Sequence, residues 1–257
     1  MRFLSSMPRI ECEPYEKLSL IYDSVMKHVN YQRWALYIIE LLQHADFPVK
    51  SVLEVSCGTG SLGLFLRQRG YEIKAFDYSP YMIRQARHKM QQKGIYFPVW
   101  VADVQQYYLH NPVDAVICLY DSMNYLPEEN AWRNALNCVY DSLKSGGVFI
   151  FDVSTIKNSM DSFRNNKIKD RGPGFNCERY SHFDEKTNLQ YNEFEIFFKS
   201  EPEKIFKETH KQRILALADI RDLIETDKFE ISAAYSDYTT REGTEDSARI
   251  HIILKKI

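Results

Sequence analysis

Lys50-Ser-Val-Leu-Glu-Val-Ser-Cys-Gly-Thr-Gly60 is the stretch whose reading decides the fold. Val52, Leu53 and Val55 form a short apolar run that suits a parallel strand buried on both faces. The run breaks at Cys57, Gly58, Thr59 and Gly60, and Leu62, Leu64, Phe65 and Leu66 open a helical pattern directly afterwards. Strand, glycine turn and helix build a nucleotide-binding crevice. The glycines let a ligand approach the backbone, and the helix start offers free N–H groups. The spacing departs from G-x-G-x-x-G, which disfavours a dinucleotide pyrophosphate. Glu54 points the same way, because an acid at the strand end repels phosphate and suits a cationic ligand.

Working outward, Tyr71 to Asp77 reads as a second strand ending in an acid, 17 residues beyond Gly60. That is close to the spacing at which an acid reaches ribose hydroxyls in such folds, and a carboxylate accepts two hydrogen bonds from a vicinal diol. Asp77 also suits the N-cap of the following helix, as does Ser79 before Pro80. A helix through Lys93 ends at Gly94, and a third strand from Phe97 to Val101 leads to Asp103 and Val104. Asp103 is a third strand-end acid, or a plain acid in a surface turn. Val113 to Leu119 is an almost wholly apolar fourth strand running into Tyr120-Asp-Ser-Met-Asn-Tyr-Leu126. Asp121, Asn124 and Tyr125 are the polar groups there, either facing a ligand or forming an ordinary strand-to-helix loop. A helix over 128–143, a Gly146-Gly147 turn and a fifth strand over 148–153 complete the alternation.

The pattern then changes. Residues 155–172 are polar and charged, as a mobile connection or lid would be. From Phe175 to Leu215 a period of two predicts at least three antiparallel strands. On the last of them Phe206, Glu208, His210, Gln212 and Ile214 share a face, as a buried hydrogen-bond network or as part of a substrate pocket. A helix over 217–226 and strands over 229–238 and 248–254 close the chain. At the other end, residues 1–15 read as a loose arm, and Leu18 to Leu42 as two helices breaking at Asn30 and Tyr31.

With 33 basic against 35 acidic residues among 257, the net charge of −2 gives no electrostatic footprint for nucleic acid or anionic membrane. No apolar run approaches the ~18–20 residues of a membrane span, and the apolar core of Met1 to Pro8 is short for a signal peptide. Five scattered cysteines suit reduced thiols in a cytoplasm-like compartment. The histidines show no metal-binding spacing. The expected partner is a small molecule, with no nucleic acid and no membrane, for a monomer or homodimer.

Val52-Leu-Glu-Val-Ser-Cys-Gly-Thr-Gly60 resembles the first motif of the class I S-adenosylmethionine-dependent methyltransferases, with Ser56 where the family usually has glycine. Asp77-Tyr-Ser-Pro-Tyr-Met82 resembles the second motif and Tyr120 to Leu126 the fourth. The resemblance implies an α/β fold. Its core is a Rossmann-like, seven-stranded mixed sheet flanked by helices (1–153 and 216–257). An N-terminal helical cap spans 1–45 and an inserted antiparallel sheet spans 172–215. It implies that S-adenosyl-L-methionine is held by Glu54, Ser56, Cys57, Gly58, Gly60, Asp77, Tyr78, Met82, Asp103, Val104 and Leu119, with Tyr22, Tyr31 and Trp34 closing over it from the cap. Each of those aromatics also suits ordinary core packing. The acceptor side draws on Tyr22, Tyr31, Asn124, Tyr125 and His210, none of which is singled out as a base. The implied reaction is methyl transfer to a nitrogen or oxygen of a small molecule. The rival functions are a nicotinamide-dependent oxidoreductase and a binding protein without turnover.

Overall fold

In the computed structural model, which describes residues 7–257, the chain enters through a short strand β1 (Arg9–Cys12). A single-turn helix α1 (Tyr22–Val25) precedes α2 (Tyr31–Leu41), whose first turn is capped by Asn30 accepting the Arg33 amide at 2.9 Å. The strand–helix alternation follows as β2 (Ser51–Val55), α3 (Ser61–Gln68), β3 (Glu72–Asp77), α4 (Pro80–Lys93), β4 (Val99–Val101), β5 (Val113–Cys118), α5 (Glu129–Ser142) and β6 (Leu143–Ser154). Next come a short turn α6 (Ile156–Asn158) and four strands, β7 (Asn165–Gly172), β8 (Phe175–Asp184), β9 (Leu189–Phe198) and β10 (Ile205–Arg213). The chain closes with α7 (Leu217–Leu223), β11 (Phe229–Ser236) and β12 (Arg249–Lys256).

The main sheet has seven strands in the order β11-β12-β6-β5-β2-β3-β4. Six strands point the same way, and β12 alone is reversed, antiparallel to both β6 and β11. The central strands are apolar throughout because both faces are covered. Leu53, Val55, Val116 and Phe149 pack with Trp132 of α5 on one face, and Val52, Ala115, Ile117 and Ile150 pack with Ile38 of α2 and Leu66 of α3 on the other. The chain reverses direction across the sheet between β2 and β5, which leaves a crevice beyond the carboxyl ends of these strands. Among the described residues no helix is long and apolar enough to cross a membrane.

The second sheet, β1-β10-β9-β8-β7, corrects two expectations. Residues 155–172 are not a loose connection: they form α6, a turn over Ser159–Phe163 and the strand β7, so the sheet begins at Asn165 rather than at 172. Charged residues on β7 hide a strand that its neighbour holds by charge, since Lys167 and Lys169 both reach Glu178 of β8, at 2.7 and 2.6 Å. The N-terminal arm is likewise ordered from Arg9, where β1 pairs in parallel with β10 and Arg9 reaches Glu195 at 2.7 Å. Residues 1–6 of that expected arm, and of the expected cap, lie outside the described residues.

Candidate active site

The glycine loop follows β2 and is held by the acid of the next strand. Asp77 at the end of β3 accepts the Gly58 amide through Oδ2 and the Ser79 amide through Oδ1, both at 2.8 Å. Asp77 therefore steadies the loop and the entry of α4, while the N-cap itself is Ser79 and not Asp77. Ser79 adds its own cap, accepting the Met82 amide at 3.3 Å. A carboxylate has about four acceptor sites, so Asp77 retains capacity for further donors. Burial pushes its carboxyl up to about 6, with the two amides acting against that rise. Gly58 and Gly60 have φ of +55° and +70°, and a Cβ at Gly58 would meet nothing within 4 Å, so the loop backbone is open to a ligand there. Ser56 occupies a left-handed conformation at φ +57°, which glycine takes without strain.

Glu54 sits one strand over from Asp77, beneath the first turn of α3. A Cβ on Gly63 would lie 2.7 Å from its Oε2, so the helix needs glycine there to admit the acid. Burial raises the Glu54 carboxyl to about 8, the Gly63 amide opposes the rise, and the Asp77 charge adds to it. Its Oε2 is buried without a hydrogen-bond partner. Asp103, just beyond β4, accepts the Gln105 amide at 2.9 Å and stays half-buried. β4 lies beside β3, with Val101 opposite Asp77, so the three acids stand at the carboxyl ends of adjacent parallel strands.

Of the remaining expected residues, Cys57, Met82 and Leu119 are buried. Val104 is half-buried against the core beneath α5. Tyr78 is 74% exposed and makes no aromatic contact with the others.

An aromatic wall faces the loop from the cap. Trp34 stacks on Tyr31, with centroids 6.2 Å apart, and meets Tyr120 at 5.5 Å and Tyr238 at 5.9 Å. Its buried Nε1 has no partner. Tyr22 packs edge-on to Tyr15, and burial raises its phenol well above the usual value. The cap is pinned by Lys89 of α4. That ammonium donates to Thr59 and Ser61 of the loop at 2.7 and 2.6 Å, and reaches Asp23 of α1 at 2.7 Å.

The candidates of the acceptor side separate. Asn124 is fully buried, and its amide joins two distant segments by accepting from Ser154 N at 3.0 Å and donating to Arg213 O at 2.9 Å. Both of these bonds tie segments of the fold together. Tyr125 and His210 do come together, 3.1 Å apart, in a row that runs from half-buried Tyr15 to fully buried Glu208.

The sequence reading missed Tyr15, Asp152 and Arg249. Arg249 on β12 pairs with Asp152 of β6 and with Asp121, the latter at 2.5 Å, and lies over the Tyr120 ring at 5.1 Å. Gln212 donates to Asp121 at 2.8 Å. Two carboxylates thus share one guanidinium. Asp152 lies two residues before the end of β6, so the strand-end rule that marks Asp77, applied loosely to the fifth strand, would have found it. Tyr15 sits in a patternless arm, and no local signal marks it.

Residues 52–147 match the methyltransferase domain family. The chain is 24% identical over 247 residues to "Putative methyltransferase YqeM" of Bacillus subtilis (strain 168), covering 94% of this chain and 97% of that one. It is 32% identical over 118 residues to a glycine/sarcosine N-methyltransferase of Parasynechococcus marenigrum (strain WH8102), covering 45% and 41%. Its fold superposes with a TM-score of 0.81 on an S-adenosylmethionine-dependent methyltransferase from Clostridium acetobutylicum ATCC 824, at 24% identity, covering 94% and 98%.

Proposed function

We propose that this chain, whose residues 52–147 match the methyltransferase domain family, is an enzyme that moves a methyl group from S-adenosylmethionine to a nitrogen or oxygen of a small molecule. The observation that carries the reading is the bond from Gly58 to Asp77, with Glu54 and Asp103 on the flanking strands. Open glycine backbone, a strand-end carboxylate with lone pairs to spare and an orphaned buried acid fit a positively charged nucleoside.

Asp77 would accept the ribose hydroxyls, and Asp103 and Val104 would meet the base beside Met82. Gly58, Gly60 and Ser56 would line the amino acid tail. Tyr22, Tyr31 and Trp34 would cover it, and aromatic faces favour a nearby cation by about 0.5–2 kcal/mol. When bound, the cofactor supplies a methyl carbon already activated by its sulfonium. The chain's own task is to orient the nucleophile, exclude water and take up a proton. Asp121, Asp152 and Arg249 leave an excess of one negative charge at the end of β6, which suits an amine acceptor. The glycine/sarcosine N-methyltransferase similarity supports a small acceptor bearing nitrogen.

The test is methyl-labelled S-adenosylmethionine incubated with the chain and a metabolite extract. A labelled small molecule, formed in step with S-adenosylhomocysteine, is expected. Binding without any labelled product would reduce the protein to a ligand-binding relative.

A further inference from the structure

Glu208 lies fully buried on β10 and accepts four hydrogen bonds. Its Oε1 takes the amides of Lys17 and Leu18 at 2.6 and 2.9 Å, and its Oε2 takes the amide of Tyr15 at 2.7 Å and His210 Nε2 at 3.2 Å. Three backbone amides already occupy both oxygens of this carboxyl, so we assign Glu208 as the acceptor and the hydrogen of His210 to Nε2. Its Nδ1 is then bare and accepts from the Tyr125 hydroxyl at 3.1 Å. Tyr125 in turn accepts from Tyr15 at 2.8 Å, because its own proton is committed to the imidazole. The direction of every bond follows from Glu208, and the row ends in free lone pairs on the Tyr15 oxygen. Tyr15 packs edge-on against Tyr22 at 6.2 Å, and the residue after Tyr22, Asp23, accepts from Thr59 at 2.8 Å, which sets the row beside the glycine loop.

We propose that Tyr15, Tyr125, His210 and Glu208 form a relay that takes one proton from the acceptor nucleophile and holds it on His210, inside the inserted sheet. The role rests on the methyltransferase reading above. An amine that arrives as ammonium has no lone pair to offer, and a hydroxyl is a poor nucleophile until its proton is leaving. In the relay an N–H or O–H bond of the acceptor breaks as an O–H forms on Tyr15. The Tyr15 proton passes to Tyr125 and the Tyr125 proton to His210 Nδ1. One proton moves, no electron changes hands, and the product is an imidazolium paired with the Glu208 carboxylate. The phenols end as they began, in keeping with burial that disfavours a standing tyrosinate. Around His210 the other neighbours are the Phe194 ring at 5.1 Å and, opposite on β9, Asn192, whose Oδ1 is taken by Ser181. Glu208 is therefore the charge that stabilises the imidazolium. Tyr15 is the catalytic residue of the row, and Tyr125, His210 and Glu208 act through it.

The first test needs no acceptor. In the whole chain with histidine labelled by 15N in the ring, His210 is identified by the resonance that Tyr125→Phe perturbs. The expected state is neutral, with hydrogen on Nε2 and Nδ1 bare. Hydrogen on Nδ1 with Nε2 bare, or a resting imidazolium, leaves nowhere for the proton to go and overturns the relay. The second test uses an acceptor identified by methyl labelling. Tyr15→Phe and Tyr125→Phe are expected to lower kcat on the order of 100-fold at low pH, with KM for S-adenosylmethionine unchanged. The loss should shrink as rising pH delivers the acceptor already deprotonated. A loss independent of pH would mean a packing role and overturn the relay. Failure of the wild-type chain to bind S-adenosylhomocysteine would instead sink the methyltransferase reading, and the tautomer result would stand apart from it.

Discussion

The amide of Gly58 donates to Oδ2 of Asp77 across 2.8 Å, so the acid at the end of β3 holds the loop at the end of β2. Asp77→Ala removes both this tether and the proposed ribose acceptor. Affinity for S-adenosylmethionine should fall by about 1–3 kcal/mol, the cost of losing hydrogen bonds to a charged group, as measured by calorimetric titration. Unchanged affinity would take Asp77 out of the site.

Glu54 gives a pH signature. Its folded value of about 8 lies above the ordinary carboxyl range, so the folded state favours the protonated acid. In the ligand-free protein this contribution is full at low pH, declines as pH rises past about 4.5, and is gone above 8. Glu54→Gln removes the decline. The variant should match the wild type at low pH and exceed it by on the order of 1–3 kcal/mol at pH about 8, read from urea unfolding at both conditions. Parallel curves at the two conditions would contradict the burial of a protonated acid.

Arg249 holds two carboxylates in place. Arg249→Leu leaves Asp152 fully buried without a cation and should cost about 3 kcal/mol in chemical denaturation. The deficit should shrink as pH falls toward about 6, because burial without the guanidinium pushes the Asp152 carboxyl higher still and the variant takes up its proton first. A stability loss that ignores pH would argue that packing, not charge, is what Arg249 supplies.

Lys89 joins Asp23 of the cap to Thr59 and Ser61 of the loop. Lys89→Met should speed amide hydrogen exchange across Tyr22 to Val25 by up to about fivefold, since a half-exposed ion pair contributes little more. Exchange as slow as in the wild type would show that the cap closes without this latch.

The parts of the molecule that were legible in sequence are those whose signal is local. The strand Ser51–Val55, its glycine loop and the helix after it are encoded within about twenty residues, and so are Asp77 and the Ser79–Pro80 start of α4. β1 and β7 were not legible, because what makes them strands lies elsewhere. β1 pairs with β10 nearly two hundred residues later, and the lysines of β7 become intelligible only opposite Glu178. The same holds for the site. Asn124 has the chemistry of a ligand-binding residue, but both ends of its amide are taken by segments that only the fold brings near. His210 was visible as one of a polar row on a strand face, while the segment that completes the row, with Tyr15 at φ +67° in an apparently patternless arm, was not.

The most direct measurement of the central claim is calorimetric titration of the whole chain with S-adenosylmethionine and with S-adenosylhomocysteine. Acids at the ends of β2, β3 and β4 around an open glycine loop predict one molecule of either bound per chain, in competition with each other. No binding of either compound would contradict the account.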